Sequence, residues 1–287
     1  MILFPNAKIN IGLRILRRRP DRYHDLHTVM VPVPWCDILE MVPAAGNGSF
    51  SMPGGDTLGI PPEDNLVLKA LCALERHIGQ HLPPLDIYLK KNIPNGAGLG
   101  GGSSDASFAI MGANEIFKLG LGKAELAEVA AGVGADCPFF IYNRPMLAEG
   151  IGERLSEIDI PVLDGMDIVI AKPRTSAVST AAAYAGVTPC ELPAGANLAT
   201  ALSLPVSQWQ GDSTVSNDFE QSIFALRPEI SAVKERMLES GATYAAMSGS
   251  GAAVFGLFGS DKLAEAAARQ LDDCEIFVGK LSSGRLG

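Results

Sequence analysis

The sequence predicts an α+β protein of two domains, residues 1–150 and 151–287. Three observations support this prediction. Several short runs alternate apolar and polar residues, which is typical of half-buried strands, and several longer runs place apolar residues on one helical stripe. A chain of 287 residues is long enough for one large domain or two of ordinary size, and the change of pattern near residue 150 favours two. We expect two α+β layers with the functional site in the cleft between them.

In the first domain, residues 7–16 alternate weakly, with apolar residues from Ile9 to Ile15 on one face, which predicts a strand. Asp64 and Asn65 are good helix caps, so a helix should follow them and end near Ile78. The other predicted elements are strands at 28–33, 37–42 and 85–90, helices at 105–119 and 123–132, and a loop or hairpin at 47–56.

In the second domain, strands and helices alternate after a turn at 146–155 that contains Gly and Glu. The predicted strands are at 167–172, 252–258 and 275–280, and the predicted helices are at 179–184, 229–239 and 261–271. Residues 197–215 have no clear pattern.

The charge balance excludes several classes of protein. A net charge of −9 argues against nucleic-acid binding, and no apolar run is long enough to cross a bilayer. The N-terminus lacks the basic start and long apolar core of a signal peptide. The five cysteines never form a CxxC pair, which favours reduced thiols in a cytoplasmic protein. The arginines clustered at 14–22 form either a solvated face or a guide for an anionic substrate.

The glycine-rich segment at 94–104 is the most informative feature of the chain. It reads Pro94, Asn95, Gly96, Ala97, Gly98, Leu99, Gly100, Gly101, Gly102, Ser103 and Ser104. It lies between a predicted strand and a predicted helix, where free backbone N–H groups and the helix dipole attract an anion. We therefore interpret it as a cradle for nucleotide phosphates. A plain flexible loop is the alternative.

The loop does not fit three common nucleotide sites. It formally contains G-x-G-x-x-G, but no strand ending in an acidic residue follows about 20 residues later, as a dinucleotide site requires. The chain contains no G-x-x-x-x-G-K-[ST] and no protein-kinase signature. The loop thus has no lysine of its own. The serines must contribute hydroxyl groups, and a metal or a distant base must share the charge.

This loop resembles the ATP loop of the GHMP kinases, as do the segments at 6–10 and 248–255. Within that superfamily the chain is similar to the 4-diphosphocytidyl-2-C-methyl-D-erythritol kinase family. The matching segments lie at 21–24, 134–140, 148–153 and 217–220, in the family's order and over nearly the whole chain. The resemblance implies an N-terminal domain like domain 2 of ribosomal protein S5 and a ferredoxin-like C-terminal domain. It also implies ATP and Mg²⁺ as cofactors.

The resemblance implies that Asp136 is the catalytic base for the acceptor hydroxyl and that Lys8 lies beside it. A lysine there would keep the carboxylate ionised and offset charge on the transferred phosphoryl group. Taken alone, Asp136 could cap a turn before Pro138, and Lys8 could face solvent from a strand. Ser103 and Ser104 either contact phosphate or Mg²⁺, cap the helix, or do both. No further metal ligands are identified.

The acceptor implied by the resemblance is 4-diphosphocytidyl-2-C-methyl-D-erythritol. Asn10 lies on the same strand face as Lys8 and could bind a substrate hydroxyl or phosphate. Tyr23 and His24 could stack on the cytosine and read its edge, Tyr184 would cover its other side, and Thr180 would touch the substrate. Without the family, Tyr184 would be a core aromatic.

One departure from the family affects this substrate site. The family commonly has glycine where this chain has Arg22. A residue other than glycine disfavours a positive φ, so the shape of the turn and the placement of His24 stay open.

Two other functions remain as alternatives. The chain could be another GHMP kinase, such as one for homoserine or mevalonate, although a substrate without a base would give Tyr23 and His24 nothing to stack on. It could also be a catalytically silent nucleotide-binding regulator, although Lys8, Asp136 and the loop glycines are all retained. The sequence does not indicate the oligomeric state.

Overall fold

The computed structural model describes residues 1–45, 50–55, 60–191 and 196–282. These residues form two compact units. The first unit comprises the described parts of Met1–Ala7, Trp35–Asn95 and Gly100–Asn143, and the second comprises those of Lys8–Pro34, Gly96–Leu99 and Arg144–Gly287. Each unit is assembled from separate stretches of the chain. The predicted domains 1–150 and 151–287 are continuous stretches, and they stay a prediction.

The strands of the described residues are β1 Ile2–Leu3, β2 Asn6–Arg18, β3 His24–Cys36, β4 Ile38–Pro43, β5 Ser51–Gly55, β6 Leu85–Lys90, β7 Met146–Gly150, β8 Arg154–Glu157, β9 Asp167–Pro173, β10 Tyr244–Met247, β11 Val254–Phe258 and β12 Cys274–Lys280. The helices are α1 Leu66–Ile78, α2 Gly101–Ile116, α3 Lys123–Ala131, α4 Cys137–Tyr142, α5 Thr180–Ala185, α6 Leu198–Leu202, α7 Glu220–Leu226, α8 Pro228–Glu239 and α9 Asp261–Arg269.

The first unit packs its helices on a sheet of order β1-β4-β6-β5. Leu85, Ile87 and Leu89 of β6 are buried against the helices, and the residues between them are more exposed, as the alternating pattern predicted. Asn65 caps α1 by accepting a hydrogen bond from the backbone N–H of Val67. The predicted cap and helix are thus confirmed.

The second unit contains an antiparallel sheet of order β10-β11-β9-β12 with α8 and α9 among its connections. Four helices, α5 to α8, lie between β9 and β10. With α8 and α9 taken as the connecting helices, the chain from β9 runs strand, helix, strand, strand, helix, strand, which is the ferredoxin-like arrangement. The central strand β9 is buried along its whole length. Another sheet has the order β2-β3-β7-β8. The predicted α+β class and ferredoxin-like half are confirmed.

Several regions differ from the predictions. Within the predicted loop or hairpin at 47–56, residues 51–55 form β5, which pairs in parallel with β6, while 47–49 and 56 lie outside the described residues. The predicted turn at 146–155 is the hairpin of β7 and β8. Helix α2 begins at Gly101 rather than 105 and ends at Ile116. Short elements such as α4 and β10 were missed, because four to six residues carry too little periodicity to distinguish helix from strand.

The clustered arginines are largely paired with carboxylates. Arg14 is buried, with its Nε 2.8 Å from Asp218, and Arg19 lies 2.9 Å from Asp21. Arg17 pairs with Asp25.

Among the described residues, no helix is both long enough and apolar enough to cross a membrane.

The turn between β2 and β3 keeps a backbone shape that favours glycine, although an arginine occupies it. Arg22 has a φ of +73°. Arg22 donates its backbone N–H to Arg19, and Asp21 accepts the N–H of Tyr23 at 3.1 Å. The hydrogen bonds of the turn therefore outweigh the local steric preference of Arg22, and the turn takes the positive φ that the sequence disfavoured.

Arg22→Gly should stabilise the protein by about 1 kcal/mol, because glycine relieves the strain of the positive φ. For a chain of this size, the melting temperature should rise by about 2 to 4 °C in a thermal unfolding scan. Arg18→Gly, at the end of β2, removes the same charge without relieving strain and should not stabilise. A lower melting temperature for Arg22→Gly than for the wild type would contradict this account.

Candidate active site

Lys8 is buried in β2 of the second unit, with only 4 % of its surface exposed. Its ammonium donates to the carbonyl oxygen of Gly98 at 3.1 Å and to the side-chain oxygen of Asn10. Its backbone N–H donates to the carbonyl of Leu99 at 2.9 Å. Lys8 therefore does not face solvent. Its charge lies against the middle of the glycine loop.

The backbone of Gly98 packs directly on a second glycine turn, residues 248–251 of the same unit. Gly98 has a φ of +74°, and a Cβ there would lie 2.1 Å from the carbonyl oxygen of Ser248. The hydroxyl of Ser248 donates to the carbonyl of Gly98 at 3.0 Å, and the N–H of Ala253 donates to that of Ala97 at 3.1 Å. Only glycine fits at position 98, and the contact fixes the loop against this turn.

Asn10 and Asn217 orient these groups. The side chain of Asn10 accepts from Lys8 through its oxygen and donates to Thr28 at 3.2 Å through its nitrogen, so its amide is held in one orientation. Asn217 donates to the carbonyls of Met247 and Gly249 at 2.7 and 2.9 Å. The contact between Lys8 and Asn10 agrees with the predicted shared strand face.

The start of α2 belongs to the first unit and continues the glycine loop. Gly100 is the N-cap with a φ of +71°, and no side chain caps the helix. Ser103 and Ser104 lie inside the first turn, so the interpretation of the serines as helix caps is wrong. The hydroxyl of Ser104 is fully buried without a hydrogen-bond partner. The free N–H groups of this turn suit a bound anion, and the buried hydroxyl suits the cation that accompanies it.

Asp136 immediately precedes α4 in the first unit and is half-buried. It occupies the N-cap position, but its side chain makes no capping hydrogen bond. Burial raises the pKa of the neighbouring Cys137 thiol to about 11, so that thiol stays protonated. The carboxylate of Asp136 is therefore not used as a helix cap, contrary to the alternative interpretation of its position.

His24 and Tyr184 stack on each other in the second unit, with ring centroids 4.9 Å apart and planes 19° from parallel. Tyr184 also meets the edge of Phe219, at the margin of the core. A base inserted between two rings needs them about 7 Å apart, so none fits between His24 and Tyr184 as they stand. Tyr23 is 60 % exposed. The hydroxyl of Thr180 lies 3.5 Å from that of Ser250.

Burial lowers the pKa of His24, and the positive charge of Arg18 lowers it further. The neutral form of the ring is therefore favoured. A neutral imidazole offers one N–H donor and one acceptor, which suits the recognition of a polar ring edge.

Sequence reasoning missed a buried cluster of Asp37, Lys91 and Asp105 in the first unit. The ammonium of Lys91 pairs with both carboxylates, at 2.6 Å from Asp105. Burial alone would lower the pKa of Lys91, but the two carboxylates raise it; burial raises the pKa of Asp105 to about 7, against the effect of Lys91. Their positions in the sequence could have indicated the cluster, because Lys91 and Asp105 lie on either side of the segment 92–104, which contains the glycine loop.

Comparison with known proteins agrees with this architecture. Residues 65–144 match the family model for the GHMP kinases N terminal domain, and residues 204–275 match that for GHMP kinases C terminal. A 4-diphosphocytidyl-2-C-methyl-D-erythritol kinase of Parabacteroides distasonis is 44 % identical over 98 % of this chain and 100 % of its own length. The chain belongs to the 4-diphosphocytidyl-2-C-methyl-D-erythritol kinase family. It is accordingly an ATP-dependent kinase that acts on a small molecule.

Two solved structures have a fold similar to that of this chain. The crystal structure of a 4-(cytidine 5'-diphospho)-2C-methyl-D-erythritol kinase has a TM-score of 0.81 and 33 % identity, and the match covers 99 % of this chain and 100 % of the other. A homoserine kinase from Cytophaga hutchinsonii has a TM-score of 0.67 and 19 % identity, covering 98 % of this chain and 96 % of the other. The second likeness shows a shared fold alone.

Gly98→Ala and Gly96→Ala should separate the close approach at Gly98 from simple backbone strain. Both residues have positive φ, but a Cβ at Gly96 meets nothing within 4 Å. Gly96→Ala should cost about 1 kcal/mol. Gly98→Ala should cost roughly 1 to 3 kcal/mol more, because the backbone of Ser248 must move.

Turnover should separate the two variants further. Displacing the carbonyl that holds Lys8 should lower kcat of Gly98→Ala by about a hundredfold. Thermal unfolding and steady-state kinetics measure both effects. Equal losses in the two variants would rule out the packing argument.

Proposed function

We propose that this enzyme transfers the γ-phosphoryl group of ATP to the 2-hydroxyl of 4-diphosphocytidyl-2-C-methyl-D-erythritol, giving the 2-phosphate and ADP. The observation that supports this most strongly is the buried ammonium of Lys8 against Gly98 of the glycine loop. This chain is 44 % identical, over almost its full length, to a 4-diphosphocytidyl-2-C-methyl-D-erythritol kinase. The product would serve the non-mevalonate route to isoprenoid precursors.

ATP would bind with its phosphates along residues 94–104, which follow β6 and lead into α2. The loop supplies backbone N–H groups, and α2 supplies the partial positive charge of its N-terminus. Positive φ values at Gly96, Gly98 and Gly100 turn successive peptide groups in the way that anion-binding loops require. Asn65 and Leu66 would border the adenine.

The residues at the start of α2 also fit Mg²⁺. The hydroxyl of Ser104 is buried and lacks a hydrogen-bond partner, and hydroxyl oxygen is a hard ligand of the kind Mg²⁺ prefers. Mg²⁺ usually takes few protein ligands and completes its coordination with nucleotide phosphates and water. When bound, it would neutralise charge on the phosphates.

Lys8 and Asp136 would carry the transfer step. Asp136 accepts the proton of the 2-hydroxyl while the hydroxyl oxygen bonds to the γ-phosphorus. The bond from that phosphorus to the bridging oxygen of ADP breaks. Lys8 offsets the negative charge on the transferred group. Its ammonium suits this role because Gly98 and Asn10 hold it in place.

The cytidine would be recognised by residues of the second unit. Tyr23 offers an exposed ring for stacking, and the neutral ring of His24 offers a donor and an acceptor for the cytosine edge. The contact between His24 and Tyr184 directs the base to the outer side of the pair rather than between the two rings. Asn10 and Thr180 would contact the remainder of the acceptor.

The location we propose is the cytoplasm. All five cysteines are free thiols, which is typical of proteins from a reducing compartment. The proposed reaction also consumes ATP, which is made available there.

Asp136→Asn should lower kcat by about 10²- to 10⁴-fold, because the amide cannot take the hydroxyl proton. The KM for ATP should change little, since Asp136 acts on the acceptor. A coupled assay of ADP release measures both quantities. Glu128→Gln on α3 removes an exposed carboxylate of the same unit and serves as the control. Unchanged turnover in Asp136→Asn would remove Asp136 from the mechanism.

A panel of acceptor alcohols tests the substrate. With ATP and Mg²⁺, only 4-diphosphocytidyl-2-C-methyl-D-erythritol should be phosphorylated, because homoserine and mevalonate lack a base for Tyr23 and His24. A phosphorus NMR spectrum identifies the new phosphate ester. Phosphorylation of a small alcohol alone would overturn the substrate. Nucleotide binding without transfer to any of the alcohols would favour a silent regulator.

A further inference from the structure

One buried cluster of charges in the first unit connects both ends of the glycine loop, and the proposed catalytic steps do not involve it. Asp37 lies between β3 and β4, Lys91 follows β6, and Asp105 lies in the second turn of α2. The exposed fractions of their side chains are 0 %, 9 % and 3 %. Charges this deeply buried are costly unless they are paired and hydrogen-bonded.

Asp37 holds the segment that leads into the loop. One carboxylate oxygen accepts the backbone N–H groups of Asn92 at 2.6 Å and Ile93 at 2.8 Å, immediately before Pro94. The other oxygen accepts from Lys91. Two backbone bonds to one carboxylate fix both the position and the direction of the chain as it enters the loop.

Lys91 connects this segment to the helix that leaves the loop. Its ammonium donates to Asp105 at 2.6 Å. A Cβ on Gly101 would lie 3.3 Å from the same nitrogen, so the ammonium lies beside the first residue of α2. Lys91 therefore contacts a carboxylate on each side of the loop and holds the two ends together.

We propose that Lys91 is a positioning residue for nucleotide binding, which fixes the start of α2 relative to the segment 92–93 so that the loop is preorganised for phosphate. This inference rests on the proposed function, because it takes ATP as the ligand of the loop. A preorganised site binds more tightly, since less conformational freedom is lost on binding. Lys91 need not touch the nucleotide to have this effect.

Two simpler roles must be distinguished from positioning. The cluster could only stabilise the fold, in which case variants lose melting temperature but the folded enzyme keeps its KM for ATP. It could also act only through charge near the phosphates. Lys91→Met removes a positive charge, so positioning and charge both predict weaker nucleotide binding.

Asp105→Leu separates the last two roles, because they predict opposite signs. At a pH above the pKa of Asp105, which is about 7, it removes a negative charge and with it the connection to α2. Charge alone would then strengthen the binding of an anionic nucleotide, whereas lost positioning would weaken it. The substitution leaves Lys91 paired with Asp37 and removes a buried carboxylate oxygen that lacks a hydrogen-bond partner, which favours folding of the variant.

The test measures ADP affinity by titration calorimetry and steady-state kinetics for ATP and the acceptor. Both Lys91→Met and Asp105→Leu should raise the ADP Kd and the KM for ATP by about ten- to a hundredfold, with the KM for the acceptor nearly unchanged. Lys123→Met removes an exposed lysine of the same unit and should match the wild type.

An ADP Kd equal to or below the wild-type value in folded Asp105→Leu would overturn the proposal. If Lys91→Met fails to fold, Asp105→Leu decides by itself. The calorimetric titration uses no acceptor. If the wild type binds ADP but does not phosphorylate 4-diphosphocytidyl-2-C-methyl-D-erythritol, the proposed function is wrong. The role of Lys91 is then still decided by the ADP affinities of the variants.

Discussion

The carbonyl oxygen of Gly98 is the point on which the site of the second unit depends. It accepts hydrogen bonds from the ammonium of Lys8 and the hydroxyl of Ser248, and the glycine has no room for a side chain beside the Ser248 backbone. The same residue thus sets the curvature of the loop, seals it against the turn at 248–251 and holds the buried charge. If Gly98 moves, Lys8 loses an acceptor and the loop loses its support at once.

Burying a lysine is costly, and the second unit offsets this cost with polar partners that are themselves fixed. Asn10 accepts from Lys8 at one end of its amide and donates to Thr28 at the other, and Asn217 holds the turn that carries Ser248. Such a network strengthens its own hydrogen bonds in a low-dielectric interior, and a missing member leaves another group unpaired. Rigid placement of one ammonium is what electrostatic stabilisation of a transferred phosphoryl group requires.

In the first unit, ion pairs between Lys91 and two carboxylates restrain the glycine loop. A glycine loop is favoured for its close approach to phosphate, but glycine also gives the unfolded loop many conformations. The cluster of Asp37, Lys91 and Asp105 restrains the two ends of that loop, so the freedom of the glycines is confined to the residues between them. At Arg22, too, hydrogen bonds override a local backbone preference. The hydrogen bonds of the turn hold Arg22 at a positive φ, which an arginine disfavours.

The sequence by itself determined the α+β class, the family, the glycine loop and the elements with a clear apolar pattern, such as α1, β6 and β9. These follow from local periodicity and turn chemistry, which a single segment encodes. Only the tertiary structure decided which distant groups meet: Gly98 with Ser248, 150 residues apart, Lys91 with Asp37, and His24 with Tyr184. It also decided that residues 51–55 pair with β6. Contacts between remote segments leave no periodic signal, because each depends on how whole elements pack rather than on neighbours in the chain.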